Sequence, residues 1–164
     1  MLDDDSVFFC GERVEDDPSP NVYVYKFSNS TLEKKQDLPT PRFFLGLARK
    51  HDILYAFGGN RTITDILSVA EAFDLSTQSW SGLPPCPTEI ENATASAFKS
   101  LVYVTGCNIK CVYSYNPVSQ EYNTTNLASP SITADKVLLP TPDRLILLTS
   151  RHNICCLQGD GELG

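Results

Sequence analysis

Histidine is almost missing from this chain: two occur in 164 residues, His51 and His152, beside one tryptophan and one methionine. The commonest general base and metal ligand is therefore in short supply. Each histidine sits in a polar turn sequence ("RKHD", "SRHN") with no nucleophile motif around it. Basic residues are also few. Lys and Arg total 13 against 20 Asp and Glu, a net charge of −7, and the longest basic cluster is "ARK" followed by His51. Phosphate backbones and anionic membrane surfaces both need concentrated cations, so neither nucleic acid nor membrane is an expected partner. No run approaches the roughly 20 apolar residues that a spanning helix requires. The start, "MLDDDSVFFCG", is acidic where a secretory leader would be basic. A cytoplasmic location is expected.

The groups that could hold a metal fail on spacing. Of six cysteines (Cys10, Cys86, Cys107, Cys111, Cys155, Cys156), Cys107 and Cys111 flank "NIK", but the adjacent Cys155-Cys156 pair is awkward for tetrahedral geometry. Free thiols buried as small hydrophobes are expected instead. The acidic runs Asp3-Asp4-Asp5 and Glu15-Asp16-Asp17 lack the alternation and glycine of a calcium loop. Four N-x-S/T sequons, at Asn29, Asn60, Asn92 and Asn123, fall in expected turns and are read as unused. No metal and no cofactor is expected.

What the chain does have is a hydrophobic fraction of 41%, enough for a core, and self-similarity. "DILYAFGGN" (52–60) returns as "SLVYVTGCN" (100–108), and "SVFFCGE" (6–12) precedes it, so Gly11, Gly59 and Cys107 recur every 48 residues. "RLILLTS" (144–150) is a shorter fourth copy. Such brief apolar runs, rich in β-branched and aromatic residues, predict strands buried on both faces. A second strand follows each: "NVYVYKF" (21–27), "SVAEAFD" (68–74), "KCVYSYN" (110–116) and "NICCLQ" (153–158). Phe27, Phe73 and Tyr115 are expected at equivalent points. A third strand carries Trp80 in one copy and Tyr122 in the next, each seven residues after its aromatic partner. "FFLGLA" (43–48), "ATASAF" (93–98) and "KVLLP" (136–140) supply a further strand between copies. The segment 63–73 also reads at helical spacing, but the repeat register assigns its second half to a strand. Four strands at a period near 45 residues predict an all-β propeller.

The stretch from Arg42 to Pro84 resembles the kelch repeat: an apolar run into Gly58-Gly59, then Glu71, Phe73, Asp74, Trp80 and "LPP". The neighbouring copies are degenerate, with Cys10-Gly11 and Gly106-Cys107 for the double glycine and Tyr122 for the tryptophan. The resemblance implies a kelch-type β-propeller of about three to four four-stranded antiparallel blades, at 1–41, 42–87, 88–129 and a partial one at 130–164. It implies structural roles for Gly58, Gly59, Glu71, Phe73 and Trp80. Propellers close with four to eight blades, so this count implies an incomplete ring. Three outcomes stay open: part of a longer product, which is preferred; closure by self-association through open blade edges; or a small ring.

The resemblance also implies another protein as partner and no enzymatic activity, with substrate recognition in a ubiquitin ligase adaptor as one setting. The loops expected to read the partner are "ERVEDDPSP" (12–20), "NRTITDIL" (60–67) and "NIK" (108–110), with the link holding Arg42 and Phe43. Exposed arginine and aromatic side chains anchor interfaces, so Arg13, Arg42, Phe43, Asn60 and Arg61 are the expected partner-binding residues. For Arg42 the alternative is a pair with Glu71 inside the blade stack. Two other classes remain: a catalytic or carbohydrate-binding propeller like the copper-dependent galactose oxidases, and a fragment with no activity of its own.

Overall fold

In the computed structural model, residues 5–15, 17–127 and 135–149 are described, together with the backbone of 154–157. Among them there is no helix, so 63–73 is not helical. The chain forms four antiparallel sheets in sequence order: β1(Ser6–Val14)–β2(Asp17–Lys26)–β3(Thr31–Lys34); β4(Gly46–Lys50)–β5(Ile53–Phe57)–β6(Ala70–Asp74)–β7(Ser79–Gly82); β8(Thr94–Phe98)–β9(Leu101–Thr105)–β10(Cys111–Asn116)–β11(Glu121–Asn126); and β12(Lys136–Pro140)–β13(Leu145–Thr149)–β14(Ile154–Leu157). The two middle sheets have four strands. Among the described residues, the first has no counterpart of β4 and the last none of β7. This is an all-β, incomplete kelch-type propeller.

Local chemistry sets the strand boundaries. The turns from β4 to β5 and from β8 to β9 place His51 and Lys99 in the left-handed region, at φ 53° and 52°. The turns from the second to the third strand do the same at Ser30, Gln78 and Gln120, at φ 54°, 57° and 58°. Two of the latter are closed by a side chain at the head of the turn. The Asp74 carboxylate accepts from Ser76 N (2.7 Å), Ser76 Oγ (2.6 Å) and Thr77 N (3.2 Å), and Asn116 Oδ1 accepts from Val118 N (2.9 Å). Asx-type bonding of this kind is why Asp and Asn favour turns.

Stacking makes the core. Tyr55, Phe57, Ala70 and Ala72, on one face of the second sheet, meet Val102, Val104, Tyr113 and Tyr115 of the third. Phe98, Tyr103 and Val112 of the third sheet meet Leu138, Leu145 and Leu147 of the fourth. Cys10, Val22 and Leu38 from the first meet Ala56, Leu45, Leu47 and Trp80 of the second. The two middle sheets thus use alternate residues of each strand to face their two neighbours, as a period of two requires.

Register corrects two expected equivalences. Phe73 pairs with Leu54 and Trp80, and Tyr115 pairs with Val102 and Tyr122. In the first sheet the residue paired in that way, with Val7 and Leu32, is Tyr25 and not Phe27. The spacing to the first copy is therefore one residue shorter than the glycine match suggested. Gly11 takes the role of Gly58 rather than Gly59. A Cβ on Gly11 would lie 2.3 Å from the Arg42 carbonyl oxygen of the next sheet, and one on Gly58 would lie 2.8 Å from Ile90. Both glycines have positive φ, 73° and 58°, so close approach and backbone conformation each demand glycine there.

The third-strand aromatics act as clasps. Trp80 Nε1 donates to the Gln36 carbonyl at 3.1 Å, and Tyr122 Oη donates to the Pro84 carbonyl at 2.9 Å. Each ties its sheet to the chain leaving the previous one. Tyr122 thus does the work of the tryptophan whose place it takes.

Candidate partner-binding loop end

The connections from β1 to β2, β5 to β6 and β9 to β10, with the links into β4 and β8, gather at one end of the sheets. Arg42, in the link into β4, is fully buried. Its Nη1 lies 2.5 Å from Glu71 Oε2 and donates to the Thr40 carbonyl (2.8 Å), its Nε donates to the Gly58 carbonyl (2.8 Å), and Thr40 Oγ1 donates to Glu71 Oε1 (2.8 Å). The alternative reading of Arg42 is the one observed: it pairs with Glu71 inside the stack. A guanidinium desolvated to this degree presents nothing to a partner, and the expectation that it anchors one is corrected.

Phe43 and Asn60 are also inside, each 2% exposed. Their backbones exchange two hydrogen bonds, Phe43 N to Asn60 O (3.0 Å) and Asn60 N to Phe43 O (2.8 Å). Asn60 bridges on to Ile66 as well, which folds 60–67 back on itself. Neither side chain offers an anchor at the surface. Asn60 Oδ1 is buried with no hydrogen-bond donor in reach among the described residues.

The neighbour of Phe43 is the aromatic that faces outward. Phe44 is 54% exposed and has φ 56°, a conformation costly for a bulky side chain. Backbone bonds hold it on both sides, through Phe43 and through Ala93 N, which donates to the Phe44 carbonyl at 2.8 Å. The two rings stand edge to face with centroids 5.0 Å apart. Sequence reasoning missed Phe44. The adjacent aromatic pair at 43–44 was the available signal, because neighbouring residues of an extended segment point to opposite sides.

Arg13 and Arg61 are exposed, as expected of anchors. The segment 12–20 is not an irregular loop, since β1 and β2 continue as a hairpin to the turn at Glu15, with a bulge between Cys10 and Glu12. That hairpin carries the Arg13 guanidinium to 5.6 Å from the Phe43 ring. Arg13 also lines a hollow of about 280 Å³ with Thr62, Ile63 and Thr64. Ile63 is 67% exposed, an apolar residue at the tip of a polar loop that sequence reasoning passed over. Arg61 pairs with Asp65 at 2.9 Å on the surface, where such a pair contributes little. The third loop and the link beside it, including Cys86, Thr88, Glu89, Asn108 and Lys110, line a shallow cleft of about 710 Å³. Asn108 fixes this corner: its Oδ1 accepts from Glu91 N (2.9 Å) and its Nδ2 donates to the Glu89 carbonyl (3.1 Å).

The described thiols, Cys10, Cys86, Cys107 and Cys111, are free, and Cys86 and Cys111 are buried. Burial pushes the Cys10 thiol up to about 12 and that of Cys86 up to about 11. Cys107 is half-buried, with its Sγ 3.6 Å from Glu91 Oε2, while Cys111 belongs to the core between sheets two and three. His51 occupies an exposed turn. Of the sequons, Asn29 lies in a turn and accepts from Thr31, whereas Asn123 lies in β11 paired with Ser114, contrary to the turn expected. His152, Asp3, Asp4, Asp16 and the side chains of Cys155 and Cys156 lie outside the described residues.

The kelch motif matches residues 41–87, the stretch from the Arg42 link to the exit of the second sheet. An F-box/kelch-repeat protein from Arabidopsis thaliana is 30% identical over 109 residues, which cover 66% of this chain and 31% of that relative. The chain thus spans about a third of the relative's length. The double glycine, the Arg42–Glu71 pair and the Phe73–Trp80 contact all stand inside the matched segment, and the flanking sheets repeat its plan: residues 41–87 carry a kelch motif, in a chain similar to a kelch-repeat protein.

Proposed function

We propose that this chain is a protein-interaction module that docks a partner protein on the loop end of its sheets, with Phe44 and Ile63 as apolar anchors and Arg13 as the charged one. The observation that carries this reading is Phe44 itself: an exposed aromatic held in a strained backbone by bonds to two neighbouring segments. Fixed aromatic and arginine side chains lose little entropy on binding and dominate interface energetics. The buried Arg42, Phe43 and Asn60 support the platform from below, and Arg61 stands at its rim.

A non-enzymatic role is supported by Cys10 and Cys86, whose thiols burial holds in the protonated, non-nucleophilic form, and by the likeness to kelch-repeat proteins, which generally bind other proteins. The net charge of −7 favours a protein partner over nucleic acid or an anionic membrane. No described helix is long and apolar enough to cross a membrane. Substrate reading for a ubiquitin ligase adaptor in the cytoplasm fits a relative whose name joins a kelch repeat to an F-box, and this setting rests on that analogy.

Photo-crosslinking tests the docking end. A benzophenone amino acid placed at Ile63 or Phe44 in cells should yield one discrete adduct. The same group at Val118, which is 93% exposed in the turn at the opposite end, should yield none. Adducts from position 118 alone, or none from 63 and 44, would overturn the proposal.

A further inference from the structure

Charge is divided unevenly between the two ends of the sheets. At the turn end the described charges match one for one: Lys26, Arg49, Lys50, Lys99 and Arg144 stand with Asp5, Asp52, Asp74, Glu121 and Asp143. The loop end is different. Glu12, Glu15 and Asp17 surround the tip of the β1–β2 hairpin, Glu89 and Glu91 lie in the link into β8, and Asp135 precedes β12. The cations there are fewer and mostly committed. Arg61 pairs with Asp65, and Arg13 lies over the Phe43 ring with its Nε donating to the Glu15 carbonyl at 2.9 Å. Arg42 and Lys136 are buried, the Lys136 ammonium donating to the Ile109 carbonyl at 2.8 Å. Lys110 is exposed. Among the described residues, no ion pair holds Glu12, Glu15, Asp17 or Glu89.

Apolar side chains stand among these carboxylates. Val14, 53% exposed, separates Arg13 from Glu15 at the hairpin tip, and Arg13 walls the hollow that Ile63 lines. The hairpin runs three residue pairs past Cys10 and Val22. In the second sheet β4 stops on β5 at Phe57, the register equivalent of Cys10, so the tip stands clear of that level. Phe44, Ile63 and Glu89 lie between the first and third sheets, and neither outermost face bears on them. The shortage is of donors as well as of positive charge. Asn60 Oδ1, buried at the root of the 60–67 loop, also lacks a donor among the described residues.

We infer, resting on the docking reading above, that the segment received at this end is basic: a stretch of the partner protein in which Lys or Arg side chains flank an apolar residue. The apolar side chain packs at Phe44 and Ile63, while the flanking cations face Glu12, Glu15 and Glu89 and bring the donors this end is short of. Complementary charge sets partner choice and encounter rate, and like charges brought together across an interface reject the wrong partner. An acidic segment is therefore disfavoured here, although Arg13 and Arg61 are present.

Fluorescence anisotropy on the 164-residue chain is the test. Three labelled peptides share a central Leu-Phe pair flanked by Lys, by Glu or by Gln. The Lys peptide should bind tightest, and less tightly as salt rises. Glu12→Gln, Glu15→Gln and Glu89→Gln together should weaken it roughly tenfold, since each exposed charge pair contributes little alone. Asp52→Asn, Glu121→Gln and Asp143→Asn, the same change in net charge at the turn end, should leave binding unaltered. Circular dichroism of both variants should match the parent's, and Asp17→Asn replaces any loop-end change that alters it. Equal binding of the Glu or Gln peptide, or an equal loss in the turn-end variant, would overturn the inference. Should the Lys peptide fail to bind while a crosslinker at position 44 still gives its adduct, the segment is not basic and the docking reading stands. Failure of the peptide together with loss of the adduct from both 44 and 63 would remove both.

Discussion

Arg42 and Glu71 form a charged pair with almost no access to water, each charge held by further hydrogen bonds. Removing one member leaves the other buried and uncompensated, at a cost of about 3–5 kcal/mol. Glu71→Ala should therefore lower unfolding stability by that amount in urea titration, and loss of partner binding would follow only from unfolding. A variant that kept parental stability would show that the pair is not the buttress described. The thiols give a second residue-level test. Their folded acidity is weaker than the ordinary value of 9.0, so the stabilising effect is present below pH 9 and is lost as pH rises through about 11 to 12. Correspondingly, Cys86 should resist alkylation at pH 8 in the folded chain and react once urea unfolds it. Rapid labelling of the folded protein would contradict the burial.

Among elements, the sheets differ in how well their third-strand residue clasps the previous one. Trp80 meets the Phe73 ring at 5.2 Å and reaches the Gln36 carbonyl. Trp80→Ala should cost about 3 kcal/mol, the lower part of the range for aromatic truncation because the ring is only partly buried. Trp80→Phe should recover most of the packing without the hydrogen bond. Equal losses in thermal melts would mean that the bond, not the ring, matters. Gly11→Ala should also destabilise, by more than 1 kcal/mol, since it combines a left-handed backbone with a clash against Arg42 O.

The strands themselves were legible in the sequence because apolar runs bounded by turn residues leave few alternatives, and β5, β9 and β13 fall where the repeat placed them. Register was not. The glycine match leaves β1 one residue out, and a one-residue slip moves every side chain to the other face; Phe27, two residues beyond Tyr25, is a separate case, the last aromatic before the turn rather than the one paired with Val7 and Leu32. The loop anchors were half legible. Arg13 and Arg61 are exposed as composition suggests, but which of Phe43 and Phe44 turns inward depends on the bond between Phe43 and Asn60, a contact that no local pattern encodes. Arg42 shows the same limit, since its burial follows from a carboxylate 29 residues away.

For the molecule as a whole, stability and recognition are assigned to different residues: the glycines, Arg42, Glu71, Phe73 and Trp80 hold the stack, while Phe44, Ile63 and Arg13 face outward. Ile63→Asp with Arg13→Glu should leave the melting temperature within about 2 °C, as surface changes do, and abolish the adduct formed from a crosslinker at position 44. Both assignments depend on consecutive sheets packing face to face in chain order. A methyl–methyl nuclear Overhauser experiment tests that packing directly. Cross-peaks are predicted from Val22 or Leu38 to Ala56, from Ala70 or Ala72 to Val102 or Val104, and from Val112 to Leu145 or Leu147. Their absence, with the strand pairings within each sheet intact, would contradict the stack and the binding surface built on it.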